Sequence, residues 1–267
     1  MTTGGRRLWR SFAAGLLAAS VLGACSGDAI LTPPTPDGTS GNVFATGSTP
    51  DKPQFNPFAD ATVRAPGGRE VIVNPSIAEV MQQTPGIPDL SVGRDDAPVT
   101  IVKYASLTCP YCRQFQLETF PTLKREYIDT GKVRLIIRDF PIGMQSGAAT
   151  IAKRCAPLDK QLVLYEKFLS QQSAWVSQEV RRDPIFKIAS QVGMTRADFD
   201  ACYENQGMIA ALNSMKERGR TLGIIGTPNF FVQGKLVKST LDMNKIRELV
   251  DPILAGRVAA QPAGLTR

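Results

Sequence analysis

The run Val99 to Ala105, apolar and rich in β-branched residues, passes through Ser106 and Leu107 into Thr108-Cys109-Pro110-Tyr111-Cys112, and a helical pattern starts directly behind it. A short apolar run of this kind suits a buried strand. In the helical stretch Phe115, Leu123 and Tyr127 are the candidate inward residues. Pro121 falls inside it, where loss of one backbone hydrogen bond predicts a kink. Gly131 ends the helix, and Lys132 to Phe140 contains a second apolar strand, Val133 to Ile137. A cysteine pair that opens a helix between two strands predicts a βαβ unit.

That placement bears on the chemistry of the pair. At a helix N-terminus the unpaired N–H groups and the helix dipole favour an anion, which lowers the pKa of the first thiol and populates the reactive thiolate. Cys109 is therefore the expected nucleophile, and Cys112, one turn on, the thiol that resolves a mixed disulfide with it. Pro110 stiffens the loop. Half of a zinc knuckle would need a second ligand pair beside the first, and a static structural disulfide gains little from closing a two-residue loop. The reading needs no cofactor beyond the redox-active Cys109–Cys112 disulfide itself.

The chain holds five cysteines (Cys25, Cys109, Cys112, Cys155, Cys202) and no histidine in 267 residues. The absence of histidine excludes Ser-His and Cys-His nucleophile pairs and any zinc site with an imidazole ligand. No metal site is expected. The formal charge is +7, of which Arg6, Arg7 and Arg10 supply three, so the chain after residue 24 carries +4. The remaining basic residues are scattered among acids and form no stripe with interleaved aromatics, which argues against nucleic acid as a partner.

Residues 1–24 have the form of a signal peptide: three arginines, then a short apolar run from Phe12 to Gly23. That run is too short for a transmembrane helix, which needs roughly 20 residues. It ends in Leu22-Gly23-Ala24-Cys25, which resembles the bacterial lipobox and implies an acylated Cys25 anchored in the lipid bilayer. Residues 25–68 comprise that cysteine and a Pro/Gly/Ser/Thr-rich tether, expected to be disordered and to span on the order of 35 to 40 Å as a loose coil. Residues 69–96 form a short extension: a strand over Glu70 to Val73, then a helix capped by Asn74 and running to about Gln83. The main domain is expected over 97–258, with a helical insertion at about 145–222. There Leu158, Leu162, Tyr165, Phe168 and Leu169 recur at helical spacing, Thr195 with Asp198 caps another helix, and Met208, Leu212 and Met215 mark a further one. Strands at Asn229 to Gln233 and Leu236 to Ser239 and a helix from Met243 to Leu254 complete the order.

The second motif is Gly226-Thr227-Pro228-Asn229-Phe230-Phe231-Val232. A proline at the start of a well-paired strand marks an edge or a special bond. Together with Cys109-Pro110-Tyr111-Cys112 and the intervening helical block, it makes residues 97–255 resemble the DsbA-like branch of the thioredoxin superfamily. The resemblance implies an α/β thioredoxin-like fold, a central mixed sheet flanked by helices, with a helical insertion. It further implies a cis Pro228 facing the cysteines and a Thr227 backbone that pairs with an extended substrate segment. Pro110, Tyr111, Thr227 and Pro228 are then the expected substrate-binding residues. Cys155 and Cys202 are either two buried thiols or, in an oxidising compartment that leaves an even pair over, a structural disulfide. Similar second bridges occur in DsbA-like proteins with this insertion.

The resemblance implies an enzyme, a protein disulfide oxidoreductase that forms disulfides in reduced or unfolded exported proteins. A membrane redox partner would re-oxidise it in the bacterial periplasm or cell envelope. The same site run in reverse is a reductase or isomerase, and a non-catalytic peptide- or copper-binding protein is a third class, without a Met-rich or His-containing motif to support it. Tyr111 with Thr227 also resembles the isomerase-like DsbC and DsbG, although residues 26–68 look unsuited to a folded dimerisation domain. The best-known oxidase has histidine where this chain has Tyr111. Without an imidazolium neighbour the thiolate is less stabilised and the disulfide less oxidising. Glutathione equilibration should therefore give a potential more negative than that enzyme's.

Overall fold

A computed structural model describes residues 71–256. The signal peptide, Cys25, the tether and the residues beyond 256 lie outside the described part. Five strands form one sheet in the order β1-β3-β2-β4-β5. They are β1 (Leu90–Val92), β2 (Val99–Ala105), β3 (Val133–Asp139), β4 (Asn229–Val232) and β5 (Lys235–Val237). β2 and β3 are parallel, joined by the helix that starts at the cysteines, and every other pairing is antiparallel. The βαβ unit thus sits at the sheet centre, where β2 and β3 are buried on both faces. That dual burial is why their sequences read as predominantly apolar runs and not as strict alternation.

The helices are α1 (Ile77–Met81), α2 (Pro110–Gln114), α3 (Phe120–Leu123), α4 (Gly143–Cys155), α5 (Leu158–Ser170), α6 (Gln172–Trp175), α7 (Arg182–Ala189), α8 (Arg196–Cys202), α9 (Gln206–Thr221) and α10 (Met243–Leu254). Two π-helical segments, Phe115–Thr119 and Lys124–Ile128, make α2 and α3 one continuous helical run. Pro121 lies in the α-helical turn between them. The helix accommodates its missing N–H with widened turns on both sides.

One face of the sheet packs under α2, the insertion and α10. Ile101, Leu135, Phe230, Phe115, Leu164, Phe168, Trp175, Ile246 and Val250 all belong to this larger core. The opposite face is smaller, built from Val102, Tyr104, Ile136, Phe231, Phe140, Leu222, Ile224 and, from α1, Val80. Gly219 lets α9 close on this region, because a Cβ there would stand 2.9 Å from the Tyr104 ring and 3.0 Å from that of Phe140.

Several local expectations change. Residues 71–73 form no strand; Ile72 instead makes one backbone bond, its N–H donating to the Thr221 carbonyl at 2.9 Å. The cap of α1 is Ser76, in a reciprocal capping box with Glu79, whereas Asn74 adopts a left-handed conformation with φ of 53°. The box wins because it satisfies two backbone donors where a lone Asn-Pro satisfies one. β1 escapes sequence reading because three residues, Leu-Ser-Val, carry no measurable periodicity. Leu158 is exposed, being the first residue of α5, while Tyr165, Phe168 and Leu169 are buried as their spacing predicts.

The segment before β2 is tied to the sheet by a buried guanidinium. Arg138, on β3, pairs with Asp89 through Nε and Nη2, both at 2.9 Å, and its Nη1 donates to the Val80 carbonyl at 2.5 Å and to the Tyr104 hydroxyl at 3.2 Å. Both partners of the ion pair are almost wholly buried. Removing one of them strands the other charge in the interior, which costs about 3–5 kcal/mol. Asp89→Ala should lower the unfolding free energy by about that amount in urea titrations, and a loss below about 1 kcal/mol would mean the guanidinium finds water.

Candidate active site

β2 and β4 are antiparallel neighbours, with Lys103 opposite Phe230 and Tyr104 opposite Asn229. The C-terminal end of β2 and the N-terminal end of β4 therefore lie at the same edge of the sheet. The chain leaving β2 enters the cysteine loop, and the chain arriving at β4 is Gly226-Thr227-Pro228. This register brings two loops together that are more than a hundred residues apart in sequence.

The insertion fixes the first loop. Ser146 Oγ, on α4, stands 2.7 Å from Ser106 Oγ and accepts from the Leu107 N–H at 3.2 Å. Gln172 Nε2, on α6, donates to the carbonyls of Leu107 at 2.7 Å and Cys109 at 3.1 Å. Cys109 is the N-cap of α2, with φ −74° and ψ 121°, and Pro110 occupies the first turn, where a missing N–H is harmless. Cys109 is half-buried and Cys112, one turn on, is buried; both are free thiols, so this is the dithiol form.

In the second loop the Thr227–Pro228 peptide is cis. The Thr227 carbonyl points at the cysteines and accepts from Cys109 Sγ at 3.1 Å. Asn229 Nδ2 donates to the Gly226 carbonyl, which pins the loop to the start of β4.

The two sulfurs are electrostatically unlike. The Cys109 thiol is pulled down to about 5, chiefly by the Cys112 thiol hydrogen-bonded to its sulfur. Burial opposes this, and Thr227 and the N–H groups of Cys112 and Tyr111 add to it. The Thr227 carbonyl, being an acceptor, bonds the thiol form of Cys109, and no partner meets Thr227 Oγ1 among the described residues. Cys112 is pushed well above the ordinary thiol value by burial, with its bond to Cys109 in the same direction and Lys103 opposing. One sulfur is thus held as a thiolate near neutral pH while its neighbour keeps its proton.

Three large side chains on or beside the two loops are exposed. Tyr111, Ile142 and Ile225 are exposed by 58%, 48% and 85%. Ile142 adjoins the cysteine loop through the Thr108 hydroxyl, 3.5 Å from its carbonyl. Cys155 and Cys202 are disulfide-bonded, joining the C-terminal ends of α4 and α8 with Cα atoms 5.9 Å apart. They form no part of the dithiol site. Cys25 lies outside the described residues. Sequence reading missed Ser146 and Gln172, which no motif flags, and Lys103, whose signal was a charge inside a strand buried on both faces. Among the described residues no cluster of three or more His, Cys, Asp or Glu side chains is placed to hold a metal, and no helix is long and apolar enough to cross a membrane.

Residues 86–252 match the model of a thioredoxin family. The chain is 27% identical to a Rickettsia bellii protein named for protein-disulfide oxidoreductase activity, over 67% of this chain and 74% of that one. It is 25% identical to disulfide bond formation protein D of Bacillus subtilis, over 62% and 77% of the two. A Rickettsia prowazekii relative is 29% identical, but the match spans only 61% of its length. Among solved structures, alpha-DsbA1 of Wolbachia pipientis superposes with a TM-score of 0.59 at 23% identity, covering 68% of this chain and all of that one. Oxidised BdbD of Bacillus subtilis gives 0.57 at 23%, covering 71% and all.

The pKa of Cys109 has a measurable consequence. Its rate of alkylation in the reduced protein should show an inflection near pH 5, where an ordinary thiol gives about 8.5. Because the folded value lies below the unfolded one, the thiolate's contribution to stability is complete above the ordinary thiol pKa and is lost as pH falls through about 5. The urea midpoint of the dithiol form, measured against Cys109→Ser, should decline over that interval; a flat difference would place the thiol at its unperturbed value.

Proposed function

The chain belongs to the thioredoxin family and is a thiol:disulfide oxidoreductase of the DsbA-like kind, and from that premise we propose that it forms disulfides in reduced exported proteins through Cys109 and Cys112. The observation that carries the reading is the accessible, acidified Cys109 sulfur facing the carbonyl of a cis Thr227–Pro228 loop. In the oxidising direction a client thiolate attacks Cys109 Sγ of the Cys109–Cys112 disulfide. A client–Cys109 disulfide forms, the Cys109–Cys112 bond breaks, and its electron pair leaves on Cys112. A second client thiolate then attacks the client sulfur of the mixed disulfide, and Cys109 departs as a thiolate. A leaving group of low pKa departs fast and stabilises the dithiol, which makes the disulfide the more oxidising. That favours the oxidase over a reductase or isomerase using the same groups.

The client lies extended along the Thr227 backbone, its polar main chain paired there in edge-strand fashion. Pro110, Tyr111 and Pro228 contact it, with Ile142 and Ile225 as an apolar rim. The enzyme works in the bacterial cell envelope, held at the bilayer by acylated Cys25 on the tether of residues 25–68, ahead of the extension at 69–96 and the domain at 97–258. A membrane redox partner returns the pair to the disulfide. The lipobox-like Leu22-Gly23-Ala24-Cys25 and the apolar run before it support the anchor.

Oxidised protein should restore activity to a reduced, denatured disulfide-containing substrate and Cys109→Ser should not, whereas Cys112→Ala, given a client that carries a disulfide, should attack it through Cys109 and accumulate the mixed disulfide with release of the client's other thiol. Cys25→Ala should move the protein from the membrane fraction to the supernatant without changing that activity. Equal activity of Cys109→Ser and wild type would overturn the assignment.

A further inference from the structure

Two adjoining hollows meet at the point where the described chain begins, and both have Val71 and Gly223 in their linings. One lies along the β4–β5 hairpin, where Lys235 and Lys238 line it together with Ile72, Val73 and Leu236. The other runs beside the end of α9 to the rim of the dithiol site, lined by Lys216, Arg220, Ile142 and Ile225. Among the described residues no carboxylate belongs to either lining. Of the acids on the two neighbouring helices, Glu217 of α9 pairs with Arg220 at 3.1 Å, and Glu79 of α1 closes the capping box of Ser76. Lys235 and Lys238 are exposed. So are three apolar side chains of the same linings, Val71, Val73 and Ile225.

Cations set among exposed apolar side chains match an anionic lipid surface. Its negative potential attracts the basic groups, while the apolar chains enter the headgroup region. An acidic client is the poorer match, because a peptide extended along Thr227 passes only the second hollow. A flat surface reaches both. The covalent path leads to the same place: residues 26–70 connect Cys25 to Val71, between the two pairs of cations. Tethering makes docking an intramolecular step, with an effective concentration in the millimolar range for a short flexible linker, so a weak attraction suffices.

We propose, resting on the anchored reading above, that this basic face docks the domain on an anionic bilayer. Lys235 and Lys238 on the hairpin and Lys216 and Arg220 on α9 are the residues that meet the lipid phosphates. Each cation near such a surface contributes about a fivefold change in partition. The attraction falls off over a Debye length, about 10 Å at 0.1 M salt. Docking on this face brings Ile142 and Ile225 to the membrane, since they line the second hollow. The dithiol thereby meets a membrane redox partner when docked and exported clients when released.

The test uses the chain from residue 25 with Cys25→Ala, so that no acyl chain contributes. Co-sedimentation is followed with vesicles of phosphatidylcholine alone and of a three-to-one mixture with phosphatidylglycerol. Partition should be confined to the anionic vesicles at 0.1 M salt and vanish at 1 M, where the Debye length is about 3 Å. Lys235→Glu together with Lys238→Glu should weaken it by at least about twentyfold, at about fivefold per cation. Lys160→Glu together with Lys167→Glu makes the same change of charge on α5, which packs on the opposite face of the sheet, and should weaken it far less. Both double variants should keep the soluble oxidase activity of the parent, which reports that they are folded. Should the hairpin variant not fold, the lipid and salt dependence of the parent decides.

The absence of partition, or equal partition onto the two kinds of vesicle, would overturn the proposal. Equal losses in the two double variants would do the same, by reducing the effect to net charge. So would saturable binding of a glutamate-rich peptide without partition onto vesicles, which would assign the cations to an acidic client. Failure of the anchor reading shows separately, as wild-type protein in the supernatant of lysed cells, because the vesicle assays contain no acylated protein.

Discussion

The contact between the Cys109 sulfur and the Thr227 carbonyl joins segments 118 residues apart, and the sheet is arranged so that it can exist. Strand polarity supplies the approach: β2 delivers one loop and antiparallel β4 receives the other at the same edge. Each loop then has its own restraint. Asn229 holds the cis-prolyl side through the Gly226 carbonyl, and Ser146 and Gln172 hold the cysteine side through backbone atoms of Leu107 and Cys109. None of these restraints touches a sulfur, so the thiols can change bonding partners while the backbone around them stays fixed. Pre-organisation of this kind lets a site exchange partners without reorganising its surroundings.

The helical insertion consequently does more than cover the sheet. Its helices α4 and α6 supply the hydrogen bonds that aim the cysteine loop, and α5 supplies Tyr165 beside the buried amine. The insertion also carries its own covalent tie between α4 and α8. The region under the cysteines is charged for a protein interior, with Lys103, Lys153, Arg154 and Asp139 all buried, and only the carboxylate and its two cations satisfy one another.

The parts legible in the sequence were those where one physical signal dominates. β2 and β3 are predominantly apolar runs, α10 covers the expected Met243 to Leu254, and Thr195 caps α8 through the Asp198 N–H as the spacing of the two residues implies. The pair Thr227-Pro228 became informative only beside the cysteines, since nothing local distinguishes a cis from a trans prolyl bond. Other features were hidden because tertiary contacts decide them. β1 exists through its pairing with β3, and Gln172 resembles any polar helical residue until the loop it clamps is in view. Lys103 was passed over inside an apolar run: periodicity reads a strand from its majority and gives no weight to the one residue that contradicts it.

The guanidinium of Arg138 sets where an autonomous folding unit can begin. The family match starts at residue 86, yet α1 lies upstream of that point, and its residues Val80 and Met81 present carbonyls to Arg138 while Val80 seals the smaller core. Arg218 on α9 reaches the same helix through the Glu79 carbonyl at 2.7 Å. A recombinant fragment trimmed to the homologous boundary would leave a cation facing an open hydrophobic hollow. The family match begins at residue 86, whereas the stabilising contacts here reach back to the five-residue helix α1 ahead of it.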